Sequence, residues 1–261
     1  MSDAAHLQDT ASNEALEPKT LVEGAYLRLR RDIIEGIRRP GEKLRVEHLK
    51  DEYEVGAGTL REALQLLMTD ALVVAQGQRG FRVAPISLAD FEDITRTRVL
   101  LETEALRQAI ALGDDAWEAE VLAAFHRLSR AEEKLGAYDE AREEWEARNR
   151  VFHEMLISAC PSRWIRHFQH ILYQQSERYR RISLFHKTIP RDVHAEHQGL
   201  CEAAIARDTE RATALLSEHI LRTLEALKKM PEDYFEGGPK LAARNGRKLA
   251  RPPVGAASGR E

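Results

Sequence analysis

Asn149 and His153 stand four residues apart in a stretch with helical periodicity, which puts their side chains on one face. His197 and His219 lie in the two helical stretches either side of Arg207-Asp208. About nine residues lead out from His197 and about ten lead back to His219, at ~1.5 Å per residue. Those two imidazoles therefore return to one level of a helical hairpin. Three imidazoles and an amide oxygen can converge on a divalent cation. Ten histidines offer many pairs, so spacing alone equally fits histidines satisfied in a core or at a surface. Hydrolysis at such an ion would need a general base beside an open position. The sequence carries no HExxH, no GxSxG and no phosphate-cradling glycine loop.

Elements able to position these groups must come from a chain of 261 residues, 43% hydrophobic and 31% charged, enough to bury one large or two smaller cores. No apolar run approaches the ~20 residues that span a bilayer. The first twenty residues lack the apolar stretch of a secretory signal. Cys160 and Cys201 are too few for a disulfide framework, and are expected as buried, reduced thiols in a cytoplasmic protein. A net charge of −4 argues against indiscriminate coating of nucleic acid, though not against a local basic patch. With 6% aromatic residues, stacking platforms for single strands are not expected.

The pattern changes once, near Pro85-Ile86-Ser87. Before it, Leu21 to Gly36 reads as a helix, Pro40-Gly41 as a turn, and Arg45 to Tyr53 as a short helix. Thr59 to Asp70 reads as a third, with Thr59 as N-cap and Glu62 completing a capping box. Two apolar runs, Leu72 to Ala75 and Phe81 to Ala84, flank a glycine-containing loop and read as a hairpin. Six or seven helices follow, from Ser87 or Asp90 to about Lys229. The expected fold is mainly α: an N-terminal winged helix-turn-helix over 19–86 and a C-terminal all-α antiparallel helical bundle over 87–232. A polar tail (1–18) and a basic, Gly/Pro-rich tail (233–261) flank them.

Pro40-Gly41-Glu42-Lys43-Leu44, Leu60-Arg61-Glu62-Ala63-Leu64 and Arg79-Gly80-Phe81-Arg82-Val83 keep an order and spacing that resembles the GntR family of bacterial transcription regulators. The resemblance implies a helix laid in the major groove of double-stranded operator DNA and a wing on the adjacent backbone. Arg61 then reads bases, Thr59 sits at the start of the reading helix, and Arg79 and Gly80 form the wing tip. Arg45 could supply a phosphate contact. Gly56, Ala57 and Gly58 stand where the family commonly has Ser/Thr-Arg-Thr, so an altered sequence preference is expected. Between Lys19 and Arg82 there are 12 Lys/Arg and 10 Asp/Glu, a net +2, which favours binding as a homodimer to two half-sites.

The second half resembles the helical FCD domain of the FadR-type branch, in the pattern Asn149-x-x-x-His153, Glu196-His197 and His219. This implies a divalent metal ion, zinc first, with nickel or manganese as alternatives. Asn149 replaces the family's usual Asp, which predicts a weaker ligand. Arg98, in Arg98-Val99-Leu100-Leu101-Glu102, matches an arginine that pairs with an effector carboxylate; pairing with Glu102 one turn on is the alternative. In the polar run Ser176 to Arg181, Tyr179 and Arg180 are candidates for the same pocket, and Arg178 and Arg181 read as a solvated face. The implied function is a repressor controlled by a small carboxylate, a dicarboxylate such as glutarate, bound beside the metal. The alternatives are a constitutive DNA-binder with a structural metal, and a metal-dependent hydrolase.

Overall fold

The head begins where Thr20 caps a helix with its side chain, accepting from the Glu23 N–H. This helix, α1 (Leu21–Ile34), buries Ala25, Leu29, Ile33 and Ile34 along one stripe. The computed structural model describes residues 18–77, 80–135, 139–186, 191–230 and 235. Next come β1 (Lys43–Leu44), α2 (Val46–Glu52), α3 (Ala57–Thr69), β2 (Val73–Ala75) and β3 (Phe81–Val83). The strands form an antiparallel sheet in the order β1-β3-β2, with Leu44 opposite Phe81 and Val73 opposite Val83. Strand β1 escaped the sequence reading because two residues carry no alternation to detect.

Two local expectations need correction. Helix α3 starts at Ala57 with Gly56 at its N-cap, and no side chain caps it. Thr59 therefore sits inside the first turn, and the Thr59–Glu62 capping box does not form. Its inner face is Leu60, Ala63, Leu64 and Leu67, buried against α1, while Met68, which the helical period groups with them, is exposed.

Beyond Pro85, six helices form the bundle: α4 (Leu88–Leu112), α5 (Asp115–Glu132), α6 (Asp139–Leu156), α7 (Arg163–His186), α8 (Val193–Ile205) and α9 (Thr209–Lys228). Ser87, Asp114, Asp192 and Asp208 cap α4, α5, α8 and α9 with their side chains, which fixes where each helix starts. Helix α4 packs on α7 and α9, and α5 packs on α6 and α8. Their shared core includes Leu106, Trp117, Val121, Leu128, Phe152, Leu200 and Leu216. A smaller cluster of Ile86, Phe91, Ile94, Tyr179, Leu224 and Leu227 lies where the linker meets the bundle.

The α4–α5 corner turns tightly at Gly113. A Cβ there would lie 2.4 Å from the Trp117 ring and 2.8 Å from the Ala109 carbonyl oxygen. Gly113→Ala should therefore cost ~1–3 kcal/mol through overpacking, read as a lowered urea midpoint; an unchanged midpoint would mean that the corner relaxes freely.

Candidate metal centre and operator-facing head

Helix α6 carries Asn149 and His153 one turn apart, while α8 and α9 supply His197 and His219 from the two arms of a hairpin. Asn149, His153 and His197 are buried, and His219 nearly so. One potential ligand atom from each imidazole lies within 4.8 Å of the other two. Ring centroids are 4.8 Å apart for His197–His219, 5.1 Å for His153–His219 and 5.7 Å for His153–His197. The hairpin arithmetic thus holds for His197 and His219, and α6 brings His153 to them as the family resemblance implied.

Carboxylates orient two of these rings. His197 Nδ1 donates to Glu132 Oε1 at 2.6 Å, and His219 Nδ1 to Glu196 Oε2 at 2.9 Å. Both bonds leave Nε2 as the lone-pair nitrogen, the arrangement in which a second shell sets the tautomer of a metal-binding histidine. Arg191 and Arg222 hold Glu196 in turn, at 2.7 Å each. Burial raises the cost of charge on Glu196, but its bonds to His219 and Arg191 prevail and keep it ionised far below the usual carboxylate range. Burial, reinforced by the neighbouring His219 and His197, pushes His153 well down, and burial brings His219 to about 3 despite its bond to Glu196. His153 and His219 are therefore held neutral, which is the form that ligates.

Whether an ion fits can be judged from the atoms left over. His197 Nε2 and Asn149 Oδ1 are buried with no hydrogen-bond partner among the described residues. Asn149 Nδ2 donates to the Tyr173 hydroxyl at 2.7 Å, which fixes the amide with its oxygen free. An unsatisfied buried acceptor costs ~1–3 kcal/mol, and a cation would satisfy both. The donor set of neutral imidazoles and one amide oxygen suits zinc and tolerates nickel or manganese.

Two arginines lie beside the histidines. Arg98 on α4 donates to Glu102 at 2.7 Å and to Ser176 Oγ at 3.0 Å; Arg180 on α7 donates to Glu146 at 2.9 Å and to the same Ser176 Oγ at 3.0 Å. Their guanidinium carbons lie 5.1 and 4.4 Å from the Tyr173 ring centroid. Of the two readings of Arg98, the structure shows the pairing with Glu102, and the buried guanidinium lies close enough to disfavour charge on His153. Tyr179 is a correction. Its ring stacks on Phe91 at 4.4 Å, and its hydroxyl donates to Asp90 and accepts from the Ser87 N–H, so it packs at the linker and not in this pocket. Arg178 is another: instead of facing solvent it is buried and donates to the Ala84 carbonyl at 2.9 Å.

Sequence reasoning missed Glu132, Tyr173 and Glu146. Glu146 had a signal, because 146, 149 and 153 fall on one face of α6. Glu132 had none, being one acid among many and 65 residues from its histidine. By the same geometry Glu132→Gln should weaken zinc binding about 10–100-fold, measured by competition with a chelator; wild-type affinity would show that the carboxylate does not tune the centre.

In the head, Arg61 is exposed on α3, and no ion pair holds it among the described residues. Arg45, at the N-cap of α2, is also exposed, and Thr59 is half-buried in the first turn of α3. Gly80 has φ +95°, a left-handed conformation open to glycine, so the wing backbone turns there without a side chain in the way. Arg79 lies outside the described residues.

Residues 21–83 match the family described as bacterial regulatory proteins, gntR family, and residues 93–222 match the FCD domain. A transcriptional regulator of Paraburkholderia xenovorans strain LB400, BphR, is 47% identical over 213 residues, covering 81% of this chain and 86% of that protein. This chain belongs to the GntR family.

Within the family, the transcriptional repressor GlaR of Escherichia coli K12 is 37% identical over 208 residues, covering 78% of this chain and 94% of that one. The solved structure of E. coli McbR/YncC superposes with a TM-score of 0.65 at 20% identity, over 80% of this chain and 98% of the other. A GntR-type regulator from Rhodococcus sp. RHA1 gives 0.64 at 22%, over 80% and 99%. Those two likenesses show the fold. As a GntR regulator with the FadR-type FCD architecture, the protein binds DNA to control transcription, and its relatives carry the names of regulators and not of enzymes. Among the described residues no helix is long and apolar enough to cross a membrane.

Proposed function

We propose that this regulator is a repressor whose grip on its operator is set by a small carboxylate bound beside a divalent metal ion in the bundle. The observation that carries the reading is the pair of orphaned buried acceptors, His197 Nε2 and Asn149 Oδ1, beside imidazoles held neutral. His153, His197 and His219 would hold the ion, with the Asn149 oxygen as a neutral fourth donor. Such an ion supplies positive charge to an anionic ligand, and Asn149 offsets none of it where an aspartate would. Arg98 and Arg180 are the adjoining cations, and their shared partner Ser176 is a bond that an incoming carboxylate could replace. Two arginines beside one cation favour a dicarboxylate such as glutarate over a monoacid. Repression is supported by the name of GlaR.

Control requires that the acid bind the operator-competent and incompetent forms with different affinity. The small net charge of the head supports a homodimer, since two heads on two half-sites add contacts that one lacks. One observation favours the constitutive alternative, a DNA-binder with a structural metal: Glu102 and Glu146 already neutralise the two arginines. Isothermal titration of zinc-loaded protein with glutarate, 2-hydroxyglutarate and simple monoacids separates the two. The proposal expects heat from at least one dicarboxylate; silence from all of them supports the structural metal.

A further inference from the structure

One stretch of α7 touches both halves of the molecule. Tyr173, Ser176 and Arg180, spaced three and four apart, face the polar interior beside the histidines. The residues between them face the head and the linker. Gln175 donates to the carbonyl of Asp70, which ends α3, and Glu177 pairs with Arg30 of α1 at 3.1 Å. Tyr179 accepts from the Ser87 N–H and donates to Asp90. Arg178 donates to the carbonyl of Ala84, the residue after β3, whose own N–H is tied to Leu72 at the other side of the wing.

Arg178 is the unusual member. It is buried, burial makes its charge costly, and among the described residues no carboxylate forms a direct ion pair with it, although the charge of nearby Asp90 favours its ionised form. Glu177 beside it is already shared by Arg30 and Arg181. A buried guanidinium that donates to a backbone carbonyl serves that carbonyl, which is the root of the wing.

We propose that Arg178 is a positioning residue that clamps the head–bundle linker, and that α7 transmits changes at the Arg98–Ser176–Arg180 cluster to the DNA-binding head through it. A ligand that takes either arginine releases Ser176 or an acid on the inner face of the helix. The helix is rigid over this span, so a shift there moves the opposite face, and Ala84 with it. The transmission half rests on the proposed metal control; the clamp half does not.

Two full-length variants, Arg178→Met and Arg178→Lys, test it. In metal-free protein, hydrogen exchange in residues 84–90 should quicken about tenfold in the Met variant and less in the Lys variant. The helices of the head and the His153 segment of α6 should keep wild-type protection. The second readout uses zinc-loaded protein, glutarate and a fragment of the protein's own upstream region. In wild type, glutarate should change the operator Kd about tenfold or more. In the Met variant the ratio should fall within twofold of one, with zinc affinity unchanged. Wild-type exchange in residues 84–90 overturns the clamp. A wild-type glutarate ratio in the Met variant overturns the transmission. A ratio of one already in the wild type contradicts control by this acid, and the transmission with it, while exchange still decides the clamp.

Discussion

Protein purified without chelator should carry about one zinc per chain, and the His153→Ala/His197→Ala variant should carry none. The wild-type cluster offers three imidazole nitrogens and one amide oxygen, in a largely buried site. The variant retains His219 and Asn149 alone, two donors for an ion that takes four. Loss of a mere outer-shell partner costs about 10–100-fold in affinity, and deleting two ligands removes far more. Both substitutions open a cavity and leave Glu132 without its buried imidazole, so circular dichroism must show that the helices persist. His219→Ala, which spares Glu132, should likewise lose its zinc. Equal metal content in wild type and variants would mean that the histidines pack without ligating.

The second large effect is expected at the head. Arg61→Ala should weaken operator binding about 10–100-fold per half-site, the ~1–3 kcal/mol of one base-reading arginine. Its side chain is exposed on α3, with no ion pair among the described residues to lose. The loss should fall on the operator and spare random DNA, with relaxed preference at the base it reads. Arg45→Ala, by contrast, should weaken both about equally and lower the salt slope by about one. Mobility shifts at fixed salt on both DNAs check this. An equal loss on both for Arg61→Ala would reassign it to the phosphate backbone.

Much of this arrangement was legible before any coordinates. Periodicity placed α3 as a helix, and Ser87, one of the two residues read as opening the bundle, caps α4 because a side-chain cap is a local property. Thr59 misled for the same reason: it is a good cap by type, but the chain already turns at Gly56, three residues earlier. His197 and His219 could be paired because helix rise converts residue number into height along a hairpin, and His153 joined them through the family resemblance. Their carboxylate partners could not, since Glu132 reaches His197 only through the packing of α5 on α8. Arg178 and Tyr179 show the other limit. Arg178 reads as surface and Tyr179 as pocket lining, yet both are buried where the linker docks on α7, a tertiary fact with no local signature. Only the alternation of inward and head-facing residues along α7 separates its two tasks.

The central claim is that a cation-bearing pocket in the bundle governs the head, and operator affinity in the presence of a candidate acid tests it most directly. Zinc-loaded protein on its own upstream fragment, at fixed salt, should lose about tenfold or more in affinity as glutarate or a related dicarboxylate is added; the His153→Ala/His197→Ala variant should not respond. An operator Kd indifferent to zinc and to every dicarboxylate, in protein shown to be folded, would contradict it.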